Sequence, residues 1–186
     1  MSNLGRRSFS LFNKLFMVPM FRLGFGPFMG NPITGYIMVL KTVGRKTGKF
    51  RYTPVSYAIH KGNAYCLAGW GQHSDWYRNM ITTREIEVIL PSGSLFGTVE
   101  AVTDSDERRI VLRKILQNAG FAGFFEGINP FRTTDEELLR KTAEMPLLRI
   151  CPVGIGNGAS DPGGLSWVWT PISIILIILI VIAMTR

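Results

Sequence analysis

The middle of the chain consists of short runs in which apolar and polar residues alternate, and these runs restrict the folds open to it. Alternation with a period of two is typical of β-strands that bury one face. The pattern predicts strands at residues 36–43, 50–60, 64–68, 85–90, 95–102 and 147–153. The turn Pro91-Ser92-Gly93 predicts a hairpin between two of them. Five or six strands with hairpin connections and few helices predict a small closed β-barrel.

Three stretches outside the strands predict helices. They lie at residues 74–80, 104–120 and 134–144. The middle one has the clearest signals, because Asp104 or Ser105 can cap it and acidic residues fill its first turn. Its apolar face is predicted to contain Ile110, Leu112, Ile115 and Leu116. The expected fold is therefore mainly β with helices, and the barrel domain is expected to extend over residues 25–153.

The C-terminal stretch is strongly apolar. Residues 167–184 contain no charged side chain, and as a helix they would be about 27 Å long, close to the roughly 30 Å of a bilayer core. This predicts a single transmembrane helix at residues 166–185, joined to the domain by a flexible linker at 154–165, with the domain cytoplasmic and the protein in the membrane. A buried core helix is the alternative.

The N-terminal stretch, residues 1–24, predicts a cationic amphipathic helix. Arg7, Ser10 and Lys14 share one face, and apolar residues such as Phe12 and Phe16 share the other. Such a helix suits an anionic membrane surface, which would make membrane lipid a partner. Alternatively, its apolar face packs on the domain itself.

Positive charge is concentrated in the first part of the chain. The formal net charge is +8, and ten Lys and Arg residues precede Asp75, the first acidic residue. This asymmetry predicts a polyanionic partner: nucleic acid, anionic lipid or a phosphate-bearing small molecule. Nucleic acid is disfavoured, because the cations are spread over one helix and one turn. With two histidines and two cysteines in the chain, no metal site is expected.

Four of these cations lie in the segment GRKTGKFR, residues 44–51. It is not a nucleoside-triphosphate loop, because three residues instead of four separate its glycines and a strand follows it. Alternation places Lys49, Arg51 and Thr53 on one face of that strand. Such a turn can bind phosphates or carboxylates through charge-assisted hydrogen bonds, or it can be a solvated hairpin tip. Because no carboxylate is close to it in sequence, no internal counter-ion is expected, and this favours anion binding.

Two motifs in this region resemble a known family. The segment TVGRKTGKFRYTPV at residues 42–55, followed by DWYRN at 75–79, resembles the deazaflavin-dependent nitroreductases, also described as F420-dependent quinone reductases. The resemblance covers roughly residues 20–153. It implies a split β-barrel of the flavin-reductase type and a deazaflavin cofactor whose tail bears a phosphate and glutamates.

The resemblance also implies a cofactor site. Residues of the turn would grip the anionic tail, the start of the next strand would run along the cofactor, and the second motif would close the pocket near the ring. The implied residues are Gly44, Arg45, Lys46, Thr47, Gly48, Lys49, Arg51, Thr53, Pro54, Val55, Trp76 and Asn79. Between the motifs, residues 68–76 form a shorter loop than the glycine-rich one common in the family, and Trp70 could fill part of the shortened pocket.

The implied function is hydride transfer from reduced coenzyme F420 to a lipophilic acceptor such as a quinone, with the protein providing position and exclusion of water. FMN is an alternative cofactor. No catalytic side chain is identified. The competing interpretation is a non-catalytic accessory subunit of a membrane complex, built on the same fold, whose pocket binds no cofactor.

Overall fold

A computed structural model of the chain describes residues 11–32, 35–91, 93–124, 128–157 and 168–184. Six strands form within this part of the chain. They are β1 (Ile37–Val43), β2 (Phe50–His60), β3 (Asn63–Leu67), β4 (Glu85–Leu90), β5 (Gly93–Ala101) and β6 (Leu147–Ile155). The six predicted strands are all present, with ends displaced by at most two residues.

The six strands close into one antiparallel barrel in the order β1-β2-β3-β6-β5-β4. Sequential hairpins account for β1-β2-β3 and for β4-β5, as the turn residues predict. The barrel closes where β1 pairs with β4, for example at Leu40 and Val88. The predicted closed β-barrel is confirmed, and closure removes the exposed edges that an open sheet of this size would have.

Six α-helices are described outside the barrel. They are α1 (Val18–Arg22), α2 (Gly26–Met29), α3 (Asp75–Thr82), α4 (Ser105–Asn118), α5 (Asp135–Lys141) and α6 (Trp169–Met184). In α4 the Asp104 carboxylate accepts a hydrogen bond of 2.7 Å from the Glu107 backbone N–H, which caps the helix as expected. Its buried face contains Val111 instead of the predicted Ile110, which is 44% exposed, because Val111 continues the spacing of three and four through Ile115.

Alternation along β1 divides its side chains between two cores. Met38 and Leu40 point into the barrel, where they pack with Met80 of α3. The side chain between them, Val39, points outward and packs against Met17 and Phe21. All six side chains are at most 5% exposed. The outer cluster holds the N-terminal segment (residues 11–22) on the barrel wall, and Met80 holds α3 at the barrel end.

The N-terminal segment therefore packs on the domain, as the alternative interpretation of this stretch predicts. A π-helical turn at Asn13–Met17 leads directly into α1. Only part of its apolar surface is buried, since Leu11, Phe12, Leu15 and Phe16 are between 44% and 67% exposed. The first ten residues of the predicted amphipathic helix lie outside the described residues.

The predicted transmembrane helix and the single-pass membrane localisation are wrong. Among the described residues, no helix combines the length and apolar character needed to cross a bilayer. The helix α6 has 16 residues, or about 24 Å at helical rise, which is short of a bilayer core of about 30 Å. A buried core helix does not apply either, because most of its apolar side chains are about half exposed. Of the predicted linker, 154–155 belong to β6 and 158–165 lie outside the described residues.

Candidate functional site

A cleft of about 890 Å³ lies between the N-terminal segment, the turn from β1 to β2 with the first half of β2, and the N-terminal end of α3. Chain segments far apart in sequence meet here because both the N-terminal segment and α3 pack against β1. The cleft is lined by Asn13, Lys14, Val18, Pro19, Arg22, Gly44, Arg45, Lys46, Thr47, Phe50, Arg51, Tyr52, Thr53, Pro54, Trp70, Ser74, Asp75, Trp76 and Asn79.

The basic turn is held by its own backbone. The Gly44 N–H donates to the Lys49 carbonyl oxygen at 2.9 Å, and the Gly44 carbonyl oxygen accepts from the N–H groups of Thr47 and Gly48. Gly48 has φ +65°, which favours glycine. A Cβ on Gly44 would lie 3.0 Å from the Thr47 hydroxyl oxygen. The two glycines therefore shape the turn, and the Arg51 guanidinium donates a long hydrogen bond of 3.4 Å to the Thr47 hydroxyl oxygen within it.

Arg45 is bound by the protein itself. Its Nη2–H donates to Asp75 Oδ1 at 2.8 Å, and its Nη1–H donates to Asn79 Oδ1 at 3.1 Å and to the Asp75 carbonyl oxygen at 3.3 Å. The Arg45 backbone N–H donates to the same Asn79 oxygen at 3.2 Å. The expectation that the turn has no internal counter-ion is therefore wrong for Arg45. Packing of α3 against β1 brings in a carboxylate from thirty positions further along the chain.

The ion pair between Arg45 and Asp75 should affect the titration of the Asp75 carboxyl group. Because Arg45 hydrogen-bonds the carboxylate, the pKa of Asp75 lies below its ordinary value of 3.8. The pair therefore adds stability above pH 3.8, and this stability is lost as the pH falls through the lower pKa of the folded state. We expect Arg45→Gln to return the Asp75 pKa towards 3.8 in an NMR titration of side-chain carboxyl groups. Arg109→Gln, which removes a distant ion pair with Asp106, should leave it unchanged. An Asp75 that titrates normally in the wild-type protein would contradict the ion pair.

Most of the predicted site residues line the cleft. They are Gly44, Arg45, Lys46, Thr47, Arg51, Thr53, Pro54, Trp76 and Asn79. Gly48 and Lys49 are exposed but do not line it. Val55 packs on the barrel core instead, although alternation places it on the same face of β2 as Arg51 and Thr53, which line the cleft. Asn79 is buried and accepts hydrogen bonds from Arg45, and its expected role near the ring stays a prediction.

Sequence reasoning missed the contribution of the N-terminal segment. Lys14 and Arg22 line the cleft, and their spacing of eight residues, about two helical turns, is a signal that could have placed them on one face. Arg22 lies over the Tyr52 ring, with its Cζ 4.7 Å from the ring centroid, and its Nε is buried without a hydrogen-bond partner among the described residues. Trp70 lines the cleft as suggested.

Ser74 has the most unusual environment in the cleft. The residue is 3% exposed, and its hydroxyl oxygen has no hydrogen-bond partner among the described residues. It precedes α3 at the capping position without capping it, and the first N–H groups of a helix have no partner within the helix. A buried hydroxyl without a partner is costly, and a helix N-terminus favours negative charge. Both features suit an anionic group in the cleft.

The charged side chains of the cleft also favour an anionic ligand. Five cations line it: Lys14, Arg22, Arg45, Lys46 and Arg51. Its one carboxylate among the described residues is Asp75, which is paired with Arg45. The described residues contain no group of three or more side chains placed to hold a metal ion. This arrangement of charges suits a ligand with several negative charges.

The fold and the cleft together define a small antiparallel β-barrel protein with a cationic, aromatic-lined cleft beside the barrel. The sequence model of the F420H(2)-dependent quinone reductase family matches residues 19–127. This match covers more than half of the chain, and the chain belongs to that family. Membership supports coenzyme F420 as the cofactor and a small molecule as the acceptor. The unpartnered Ser74 hydroxyl and the excess of cations fit such an anionic cofactor.

Two solved structures illustrate the similarity of the chain to known backbones. One is described as an F420-H2 dependent reductase, with 21% identity and a TM-score of 0.42, over 61% of this chain and 92% of that one. Another is a conserved hypothetical protein, Rv2991, from Mycobacterium tuberculosis, with 15% identity and a TM-score of 0.46, over 64% of this chain and 74% of that one. At TM-scores this low, neither likeness carries a conclusion about function.

Proposed function

We propose that this protein is an oxidoreductase that binds reduced F420 in the cleft and reduces a lipophilic acceptor such as a quinone. The observation that carries the proposal is the excess of cations without a carboxylate partner in a cleft that is lined mostly by the family-matched region. Lys46 and Arg51 line the cleft and have no carboxylate partner among the described residues. An anionic cofactor would supply the missing negative charge.

Within this proposal the residues of the turn have different roles. Lys46 and Arg51 bind the phosphate of the cofactor, and the Ser74 hydroxyl gains a hydrogen-bond partner there. Arg45 is held by Asp75 and Asn79, so it contributes a fixed positive charge with little freedom to move. When bound, reduced F420 supplies the hydride, and the protein supplies position and exclusion of water.

The acceptor is inferred from the apolar part of the cleft. Val18, Pro19, Tyr52, Pro54, Trp70 and Trp76 line it together with the cations. An apolar wall with a few polar groups is typical of sites for small organic molecules. The exposed Leu11, Phe12, Leu15 and Phe16 belong to the same N-terminal segment that forms one wall. These features favour an acceptor that is itself lipophilic.

The proposal is tested by the oxidation of reduced F420 under anaerobic conditions. We expect the protein to accelerate oxidation by a quinone such as menadione at least about 100-fold over the rate without protein. Reduced FMN and NADH should not replace reduced F420. The measurement is the recovery of F420 fluorescence after quinone is added. A protein that binds F420 but does not accelerate oxidation would contradict the proposed reaction, and one that binds no F420 would favour the non-catalytic alternative.

A further inference from the structure

One wall of the cleft is the loop that leads into α3, residues 69–75, which is called the cap loop below. Its residues Trp70, Ser74 and Asp75 line the cleft. We propose that the cap loop opens to admit a ligand and closes over it, and that the ion pair between Arg45 and Asp75 is the latch that holds it closed. The inference rests on the proposed function, because it concerns the access of F420 to the same cleft.

The latch joins the cap loop to the turn between β1 and β2. The Arg45 guanidinium donates a hydrogen bond of 2.8 Å to the Asp75 carboxylate and a longer one, of 3.3 Å, to the Asp75 carbonyl oxygen. The Asp75 side chain is 84% exposed, and exposed ion pairs are weak because water and salt compete with them. The buried Asn79 side chain binds Arg45 separately. Release of Asp75 therefore frees the cap loop but leaves Arg45 in place.

Two glycines near the start of the cap loop provide a hinge. Gly71 has φ +65°, a conformation that favours glycine, and outside its chain neighbours no atom lies within 4 Å of the position that a Cβ on Gly69 would take. The residue before them, Ala68, is fully buried, and its N–H donates to the Pro146 carbonyl oxygen at 2.9 Å. The barrel therefore fixes the chain up to residue 68, and the cap loop can rotate about the glycines.

The far end of the cap loop is bounded by Trp76 and Tyr77, which pack against the barrel core. The Arg78 side chain of α3 donates a hydrogen bond of 3.1 Å to the Gln72 carbonyl oxygen, and this contact is exposed to water, as the latch is. Ser74 precedes α3 without making a capping hydrogen bond, so the start of the helix lacks the contact that usually fixes a helix end. The moving part therefore extends from the glycines to the residue before Trp76.

The closed position has a cost that a ligand relieves. In it the Ser74 hydroxyl is buried without a hydrogen-bond partner among the described residues, and such a group is unfavourable. Opening of the cap loop exposes the hydroxyl to water, and a ligand in the cleft supplies a partner. Because the latch favours the closed position and the hydroxyl opposes it, closure is only modestly favoured without a ligand. A ligand that satisfies the hydroxyl shifts the loop further towards the closed position.

The kinetic test measures the rates of F420 binding and release by stopped-flow fluorescence. Asp75→Asn breaks the latch, and we expect the association and dissociation rate constants both to rise about 3-fold, as the loss of one exposed ion pair allows. The Kd should change less than about 2-fold, because the latch forms both before and after binding. Asp75→Glu, which keeps the charge, should stay within about 2-fold of wild type in both rate constants.

The direction of both rate constants distinguishes a latch from other roles of Asp75. If the carboxylate only repels the anionic ligand, its removal raises the association rate constant without raising the dissociation rate constant. If it only contacts the ligand, the dissociation rate constant rises alone. Either result would overturn the inference while cofactor binding stands. Asp106→Asn removes the same charge from an exposed pair with Arg109 outside the cleft, and this control should leave both rate constants unchanged.

A second measurement needs no ligand. The backbone amides of Gly71, Ser74 and Arg78 donate hydrogen bonds within this region, and their hydrogen exchange, followed by NMR, should be about 2- to 3-fold faster in Asp75→Asn than in wild type. Equal exchange rates in the two proteins would overturn the cap. If the wild-type protein does not bind F420, the proposed function fails, and the exchange rates alone decide whether the cap loop opens as inferred.

Discussion

Replacing both Lys46 and Arg51 with glutamate is expected to raise the Kd for F420 by at least about 100-fold. Both side chains line the cleft. A hydrogen bond to a charged group contributes about 1.5–3 kcal/mol, so the loss of two costs roughly 3 kcal/mol or more, and the introduced carboxylates also repel the ligand. The Kd is measured by titrating the protein with F420 and following its fluorescence. The wild-type affinity should fall as salt is added, because mobile ions screen exposed charges.

A matched control separates the site from the overall charge of the protein. Lys61→Glu combined with Arg132→Glu changes the net charge by the same amount, at exposed positions that do not line the cleft. This control should bind F420 within about 3-fold of the wild-type protein. Equal losses of F420 affinity in both double variants would mean that only the net charge of the protein affects binding. An unchanged Kd in the variant of Lys46 and Arg51 would show that these two residues do not belong to the site.

Replacing Glu87 with leucine is expected to destabilise the fold by about 3–5 kcal/mol. Glu87 and Lys41 are 4% and 6% exposed and form an ion pair of 2.9 Å on the outside of the barrel. The second oxygen of Glu87 accepts a hydrogen bond of 2.6 Å from the Asn157 backbone N–H. Removal of the carboxylate leaves the ammonium group of Lys41 buried without its counter-ion, and we expect this uncompensated charge to cause most of the loss in stability. The free energy of unfolding is measured by urea denaturation followed by circular dichroism.

The reciprocal variant tests the cause of this loss. Lys41→Met combined with Glu87→Leu removes both charges, and we expect it to recover most of the lost stability, since well-packed apolar residues can replace a buried ion pair. A single Glu87→Leu variant within about 0.5 kcal/mol of wild type would show that water reaches the pair. A double variant no more stable than the single one would place the cost in the lost hydrogen bond to Asn157.

The strands could be predicted from the sequence because their signals are local. The run from Phe50 to His60 is rich in β-branched and aromatic residues, and the prediction and the structure agree on both of its ends. The pairing of β1 with β4 could not be predicted in this way, because Leu40 and Val88 are far apart in sequence and meet only in the folded barrel. Only the general expectation of a closed barrel anticipated this pairing. The prediction of a C-terminal transmembrane helix failed for a physical reason as well. An apolar run indicates burial in some environment, but the described helix is too short to span a bilayer.

Those parts of the candidate site that depend on local sequence signals could also be predicted. The basic turn is a local motif, so its residues could be named from sequence. The partner of Arg45 could not, because Asp75 lies thirty positions away and reaches it only when α3 packs on β1. The role of the N-terminal segment was missed because its amphipathic pattern suits a lipid surface and a barrel wall equally well. Burial of Met17 and Phe21 against Val39 decides between them.

The most direct test is an NMR titration that follows each backbone amide as F420 is added to the ¹⁵N-labelled protein. Saturable shifts are expected in the turn and the start of β2 (residues 44–54) and at the N-terminal end of α3 (residues 74–79). Amides of β3 and β6, which do not line the cleft, should stay unchanged. Shifts that are absent, or that fall mainly on these strands, would contradict the assignment of the cationic cleft as the cofactor site.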